Sequence, residues 1–516
     1  MTKENQAAET SWESQVSTKT LDIMLRFLRR LPKIWIAKQS AKKLRKRMPE
    51  YEEELKLPES EEIFSWVSGI CQTPHRRPGT PEGHKAEHWV AGMLKELGLE
   101  NVKMDPIPIT VWSAKEWSLA VGGRRIPSFF VVNTAFTKVG GVTAPLVYVK
   151  KGTYKNFSNT DVTGKIVVAD VTFPYIPTGA VFRLLQSLGA SYIISDPAHS
   201  LTMRTGQYLN FVRENFIGGA TAADAPSNDV YWGAYRRGAK AICLILKDQP
   251  SNSNSHYGPY DGIMKPIPGL WIGKYDGIEL RERAKEGVTA TLTLQGEMVP
   301  GTMHNVWGIL PGKSEEVVMV TSHHDAPFQG AVEDGAGVAQ VLAQIKVWAS
   351  IPREKRARTL IFVVGAGHFY GFQGGIFFAR EHMDWMKKVK MLITLEHLGA
   401  KEVVEKNREY METNRPALTV MFTSNEPLAI ATVINALKKK PAKMTVPIPS
   451  DLFAPVPISD AAGYVIEAGV PVISWIGCPY YLLDENDTLK MVAKEELRPI
   501  CETVTELIKP YMSFKK

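Results

Sequence analysis

The spacing of apolar positions changes character along the chain. Leu21, Met24, Leu25, Leu28 and Leu31 recur at helical spacing, with Arg26, Arg29 and Arg30 on the opposite side. This predicts an amphipathic helix that Pro32 stops or kinks. Between about 60 and 135 the pattern is mixed: EGHKAEHWVAGMLKELGLENVKMD reads as an amphipathic helix, a glycine stop and a strand. From about 136 to 290, short apolar runs (APLVYVKKG, GKIVVADV, SYIISD, AICLILKD) sit between Gly, Pro, Asn and Ser turns. After residue 300, strand-like runs (VVMVTSHHD, TLIFVVGAGH, KMLITLEH, LTVMFTSN, PVISWIG) alternate with helical patterns such as GVAQVLAQIKVWAS. Such alternation predicts an α/β fold with a mostly parallel central sheet flanked by helices. The division expected is an N-terminal basic helical arm over 1–57, an α/β domain from 58–135 and 291–516, and an inserted β-rich domain over 136–290.

Length agrees with this division, since 516 residues exceed one ordinary core. The net charge of +8 changes the picture only when located. Residues 21–50 carry ten Lys/Arg against Asp22 and Glu50, which leaves 52 basic and 52 acidic groups elsewhere. The body is therefore no nucleic-acid surface. The basic arm suits an anionic membrane surface through residues 21–47, but packing on its own domain or on a second subunit of a homo-oligomer is preferred, because no lipidation signal accompanies it. No run of about 18 apolar residues predicts a membrane span. The polar first twenty residues lack the apolar stretch of a secretory signal. Cys71, Cys243, Cys478 and Cys501 are far apart and read as reduced core thiols. A cytoplasmic protein is expected.

The chemistry lies where polar residues interrupt apolar strands. Three predicted strands finish in groups able to bind metal: His323-His324-Asp325, then His368, then Glu396-His397. A parallel sheet gathers ligand sites beyond the carboxyl ends of its strands. The acidic pair Glu333-Asp334 precedes a helix nearby in sequence. A single His at a strand end usually caps or packs; three such ends with an acidic pair point to a metal site. Imidazole and carboxylate donors suit Zn, Mn or Fe, with an open position for water. Asp325 is placed by type to accept the other imidazole N–H of His323.

The segment SHHDAPFQGAVEDGAGVAQVL resembles H-x-D … G-A-x-D-x-x-S-G-V-A of metallopeptidase family twenty-eight. HNVWGILPG, FVVGAGHFYGFQGG, LITLEHLG and ISDAAGYVIEAGVPVISWIG are similar to further segments of that family, and APLVYVKKGTYKNF with DVTGKIVV to its protease-associated insert. The family includes zinc aminopeptidases, glutamate carboxypeptidases, glutaminyl cyclases and the non-catalytic transferrin receptor. The resemblance implies that His323 is the first metal ligand, Asp325 its orienting carboxylate, Glu333 the bridging carboxylate and Glu396 a further ligand. The family's Glu-Glu pair is replaced by Gly367-His368, leaving His368 as a ligand and no standard base. The last ligand histidine falls in a slot offering Leu482, Leu483 or Asp484, and Ala461 stands for the histidine of S-D-H.

A single divalent ion held among His323, Glu333, His368 and Glu396 is the economical expectation. His397, His324, Asp334 or Tyr370 are the candidates for proton transfer, and Asp325 and His368 complete the catalytic set. The preferred substrate is a small non-peptide carbonyl compound: an amide, a lactam, or a cyclic 1,3-diketone opened by metal-activated water. An amino- or carboxypeptidase with an altered metal shell is the alternative, and a non-catalytic scaffold a third reading. Phe369, Tyr370, Phe372, Tyr480 and Tyr481 suit either a pocket wall or core packing.

Overall fold

The computed structural model describes residues 39–46, 48, 51–171, 226–259, 261–439, 442, 444–450, 456–457, 459–477 and 479–513. The amphipathic segment 21–32, the SYIISD run and Cys478 lie outside the described residues. Near the arm's end, Arg45 Nε donates to Asn435 Oδ1 at 2.6 Å, which ties it to the body.

The chain forms an α/β fold around one large sheet. Its elements are α1 (Ser60–Ile70), α2 (Pro81–Glu96), β1 (Glu100–Val121), β2 (Val142–Tyr148), β3 (Ile166–Val171), β4 (Ala241–Leu246), β5 (Gly269–Ile272), β6 (Thr289–Leu310), β7 (Ser314–His323), α3 (Ala336–Ala349), β8 (Arg358–Gly365), α4 (Gln373–Glu381), β9 (Val389–Glu396), β10 (Thr419–Thr423), α5 (Pro427–Lys439), β11 (Thr445–Pro449), α6 (Ala461–Ala468), β12 (Val472–Gly477) and α7 (Lys494–Met512), besides shorter pieces. Strand order across the sheet is β11-β10-β12-β9-β7-β8-β6-β2-β3-β4-β5, ending on the short strand Phe129–Phe130.

Besides the edge pair β10–β11, parallel pairing lies in two places. Around β7 it links β8 and β9, and it joins β9 to β12. Within the 136–290 segment it links β2, β3, β4 and β5. Strands β3 and β4 are buried at every position, as continuous apolar runs covered on both faces should be. A long antiparallel ribbon connects the two places: β1 follows β6 from Glu100↔Ile309 to Val121↔Ala290. The start of β6 also pairs β2 and its end pairs β8.

Helices cover both faces. On one, α3 lies against β7 and β9 and beneath α1 and α7. It is buried on nearly every side, so its polar positions need internal partners. Gln340 and Gln344 provide them, donating to the carbonyls of Leu497 (2.9 Å) and Cys501 (3.0 Å) in α7. On the other, Phe378 of α4 and Tyr464 of α6 pack with Trp307, Met319 and Ile361. The register sets Gly365 of β8 beside His323 of β7, and Thr394 of β9 beside Thr321. The three strands therefore finish at one edge. No helix of the described residues is long and apolar enough to cross a membrane.

Candidate metal centre at the strand ends

Four side chains from three strand ends and one loop converge at that edge. His323 closes β7, His368 lies in the turn after β8, His397 follows β9, and Glu333 sits just before α3. One ligand atom from each lies within 4.8 Å of the others, and all four residues are buried. His397 Nε2 is 2.9 Å from Glu333 Oε2, while His368 Nε2 and His323 Nε2 are 3.4 and 3.6 Å from Glu333 Oε1. The rings of His323 and His368 stack with centroids 4.0 Å apart, and His397 stands edge-on to both.

The far side of each ring fixes which nitrogen faces the centre. His323 Nδ1 meets the Asp325 carbonyl at 3.1 Å, with the Asp325 carboxylate at 3.6 Å. His368 Nδ1 meets Asp460 Oδ1 at 2.8 Å, and His397 Nδ1 meets the Gly477 carbonyl at 3.0 Å. Those partners are acceptors, so each Nδ1 carries the ring proton and each Nε2 presents a lone pair. His323 Nε2 and His397 Nε2 nevertheless lie 3.4 Å apart. Two lone pairs and a carboxylate facing one another are reconciled by a cation between them. Three imidazoles that turn Nε2 inward and one carboxylate, each backed by an outer partner, form a donor set that fits a divalent zinc-class ion.

Electrostatics agrees with the geometry. Burial, followed by the neighbouring imidazole of His368, pushes His323 down to about 4. Burial and His397 push His368 down to about 3. Both rings are thus neutral near pH 7, as ligands must be. Burial raises the carboxyl of Asp334 to about 8. Its oxygens take the Ser322 hydroxyl at 2.5 Å and the His397 N–H at 2.7 Å.

The loop holding Glu333 is gripped from two sides. Arg76, fully buried, donates to the carbonyls of His324 (2.7 Å), Gln329 (2.7 Å), Gly330 (2.6 Å) and Glu333 (3.1 Å). Asp487 accepts the N–H groups of Val332 and Glu333, both at 2.8 Å. Gly330 has φ +55°, and a Cβ there would meet the Glu333 carbonyl at 2.3 Å, so the turn requires glycine. Arg76 and Asp487 carry no metal-type signal in sequence. The Arg pair in QTPHRRPG reads as solvated loop residues.

Several expected residues fall elsewhere. Glu396 is outside the four-residue cluster and belongs to a neighbouring group with His368 and Asp460. The Asp460 N–H points at both Glu396 oxygens, at 3.3 and 3.2 Å. The reason is backbone conformation: His397 adopts φ +55°, which turns its ring inward. Plain strand alternation would have put Glu396 there instead. Tyr370 is directed away, its hydroxyl donating to the Thr110 carbonyl at 3.1 Å. His324 Nε2 donates to the His304 carbonyl at 2.9 Å. Asp325 lies behind His323, with Oδ2 also taking the Phe369 N–H at 3.4 Å. Leu482 and Leu483 are core residues, and Asp484 bonds Asn486. Gly367 has φ +80°, and a Cβ would meet the Met303 methyl at 2.6 Å, so this backbone excludes a glutamate there. Phe369 and Phe372 stand edge-on to His368 at 5.2 and 5.3 Å, and Tyr257 from the 136–290 segment packs on Phe369 at 5.3 Å. Tyr481 is core, its hydroxyl donating to the Lys401 carbonyl.

Comparison with known proteins bears directly on this arrangement. Residues 305–508, which carry all four converging side chains, match Peptidase family M28. Over those residues the chain is similar to that family. Aminopeptidase YwaD of Bacillus subtilis (strain 168) is 29% identical over 149 residues, 26% of this chain. That match spans 30% of the relative's length. Among solved structures, BSAP, a zinc aminopeptidase from Bacillus subtilis, superposes with a TM-score of 0.63 at 20% identity, over 89% of this chain and 97% of its own. A Peptidase M28 precursor from Shewanella amazonensis SB2B gives 0.62 at 19% identity, over 94% and 97%. The aminopeptidase from Aneurinibacillus sp. strain AM-1 gives 0.59 at 18% identity, over 87% and 93%. At these identities the likeness is one of fold.

Proposed function

We propose that this protein is a metal-dependent hydrolase of the M28 type, acting as an aminopeptidase with an altered metal shell. The observation that carries the reading is the convergence of three Nε2 atoms and Glu333, with every Nδ1 committed to an acceptor. His323, His368, His397 and Glu333 would hold one divalent ion, zinc in the first instance. When bound, such an ion supplies Lewis-acid polarisation of a carbonyl and an acidified water. The chain's own residues do the rest. Asp325, Asp460 and the Gly477 carbonyl hold the ring tautomers, and Arg76 with Asp487 fixes Glu333. Asp460 and Glu396 sit together beside His368; burial raises both carboxyls, and the charges of Asp460 and Asp334 raise Glu396 further, whereas His323 works against the rise at Asp460. They are the groups best placed to take and return a proton, in place of the glutamate that Gly367 cannot supply.

Kinship with aminopeptidases supports the peptidase alternative over a small non-peptide amide, lactam or cyclic 1,3-diketone. The unpaired, buried thiols of Cys71, Cys243 and Cys501 support a cytoplasmic setting. The test is a panel of aminoacyl anilides and N-acyl amino acids, offered to zinc-loaded protein and to His323→Ala. Turnover of aminoacyl anilides that disappears in the variant is expected. Fully metallated protein that turns over N-acyl compounds or lactams but no aminoacyl anilide overturns the reading.

A further inference from the structure

A second histidine–carboxylate cluster lies apart from the strand-end centre, between α2 and β6. Helix α2 starts with Thr80 accepting the Gly83 N–H and Pro81 at its first position, so His84 and Glu87 fall one turn apart on one face. His304 reaches them from β6, 217 positions away in sequence. The Glu87 side chain is fully buried, whereas those of His84 and His304 are 38% and 23% exposed. Both rings place Nδ1 at 2.8 Å from the same oxygen, Glu87 Oε2, with ring centroids 5.7 Å apart. Glu87 Oε1 takes the His304 N–H at 3.0 Å. Burial opposes ionisation of Glu87, yet His324, His84 and His304 outweigh it and hold the carboxyl below its usual range.

We propose that His84, Glu87 and His304 form a second, exchangeable zinc-class metal site that clasps α2 to β6. Two imidazole nitrogens and an ionised carboxylate oxygen supply three ligands of the type such an ion takes. Tetrahedral bonds of about 2.0–2.1 Å separate ligand atoms by about 3.3 Å, so the observed 2.8 Å contacts must open by about 0.5 Å. The half-exposed rings can retreat by that amount toward water, which then fills the fourth position. On binding, each neutral ring would give up its Nδ1 proton to water and take one at Nε2, with no net proton released, and the Glu87 Oε1 contact would stay intact. His304 also receives the His324 Nε2–H on its carbonyl, so an ion here braces the end of β7.

The assignment is independent of the strand-end reading and is tested without activity. The full chain is stripped with a chelator and reloaded by dialysis against zinc, and bound zinc per chain is measured. His84→Ala and Glu87→Gln are each expected to bind one ion fewer than wild type, with unchanged circular dichroism. His88→Ala, altered on the same helix but outside the cluster, is expected to match wild type. In the His323→Ala background, added zinc should raise the melting temperature by roughly 3 °C or more. That rise should vanish in His323→Ala/His84→Ala. Equal zinc content in wild type and His84→Ala overturns the site, as does a zinc loss caused by His88→Ala or no zinc-dependent rise in His323→Ala.

Discussion

The strand-end cluster and the cluster under α2 use the same side-chain types and hold them in opposite senses. At the strand ends, every Nδ1 is turned outward to a carbonyl or carboxylate, and the Nε2 atoms face Glu333. Under α2, the Nδ1 atoms themselves face Glu87. The first arrangement is buried and already arranged as ligands; the second is half-exposed and rests as a hydrogen-bonded hub. Orientation by outer partners, more than donor identity, separates a preorganised centre from an exchangeable one.

The most severe way to break the comparison is His323→Ala. Outer partners alone contribute 10–100-fold to metal affinity, so losing a direct ligand should cost at least ~100-fold in affinity and reduce hydrolysis to background. The outer cluster's zinc should remain, as metal analysis would show.

Arg76→Ala strikes the frame instead. It leaves four loop carbonyls without their guanidinium, and a loss of about 3–5 kcal/mol is expected from denaturant midpoints. A change under ~1 kcal/mol would mean the loop holds itself.

Asp460→Asn sharpens the role of orientation. It removes the anionic acceptor behind His368 but keeps its shape, and zinc affinity should fall about 10–100-fold in chelator competition. Unchanged affinity would show that the Nδ1 partner does not set the ligand.

The smallest effect concerns a buried carboxylate outside both histidine clusters. Burial raises Asp484 to about 6, the reverse of Glu87. A carboxyl whose folded pKa exceeds its unfolded value binds more protons when folded, so its contribution is fully present below about pH 4 and is lost as pH rises through about 6. Asp484→Asn should flatten that part of the stability curve by on the order of 2 kcal/mol, read from melts between pH 4 and 7. An unchanged slope would place the titration elsewhere.

The strands of the central sheet were legible because long apolar runs ending in His or Glu are a strong local signal. His323 and His368 were singled out for the same reason, and Glu333 by its place in an acidic pair before a helix. The switch from Glu396 to His397 was not, because it depends on one left-handed residue whose N–H is held by Asp334, 63 positions earlier. Arg76 and Asp487 act through contacts with distant loop residues, and nothing in their local sequence distinguishes them from solvated groups; Asp460 lies in a segment similar to the family's S-D-H, but its partnership with His368 depends on the packed fold.

Sequence by itself determined that strands and helices alternate, and that imidazoles and carboxylates lie at strand ends. Those properties follow from short-range periodicity and side-chain chemistry. Only the tertiary structure decided which nitrogen of each ring faces inward and that His397 displaces Glu396. It also brought His304 across to His84 and Glu87. Each of these depends on groups far apart in the chain that meet only when the sheet and its covering helices are packed.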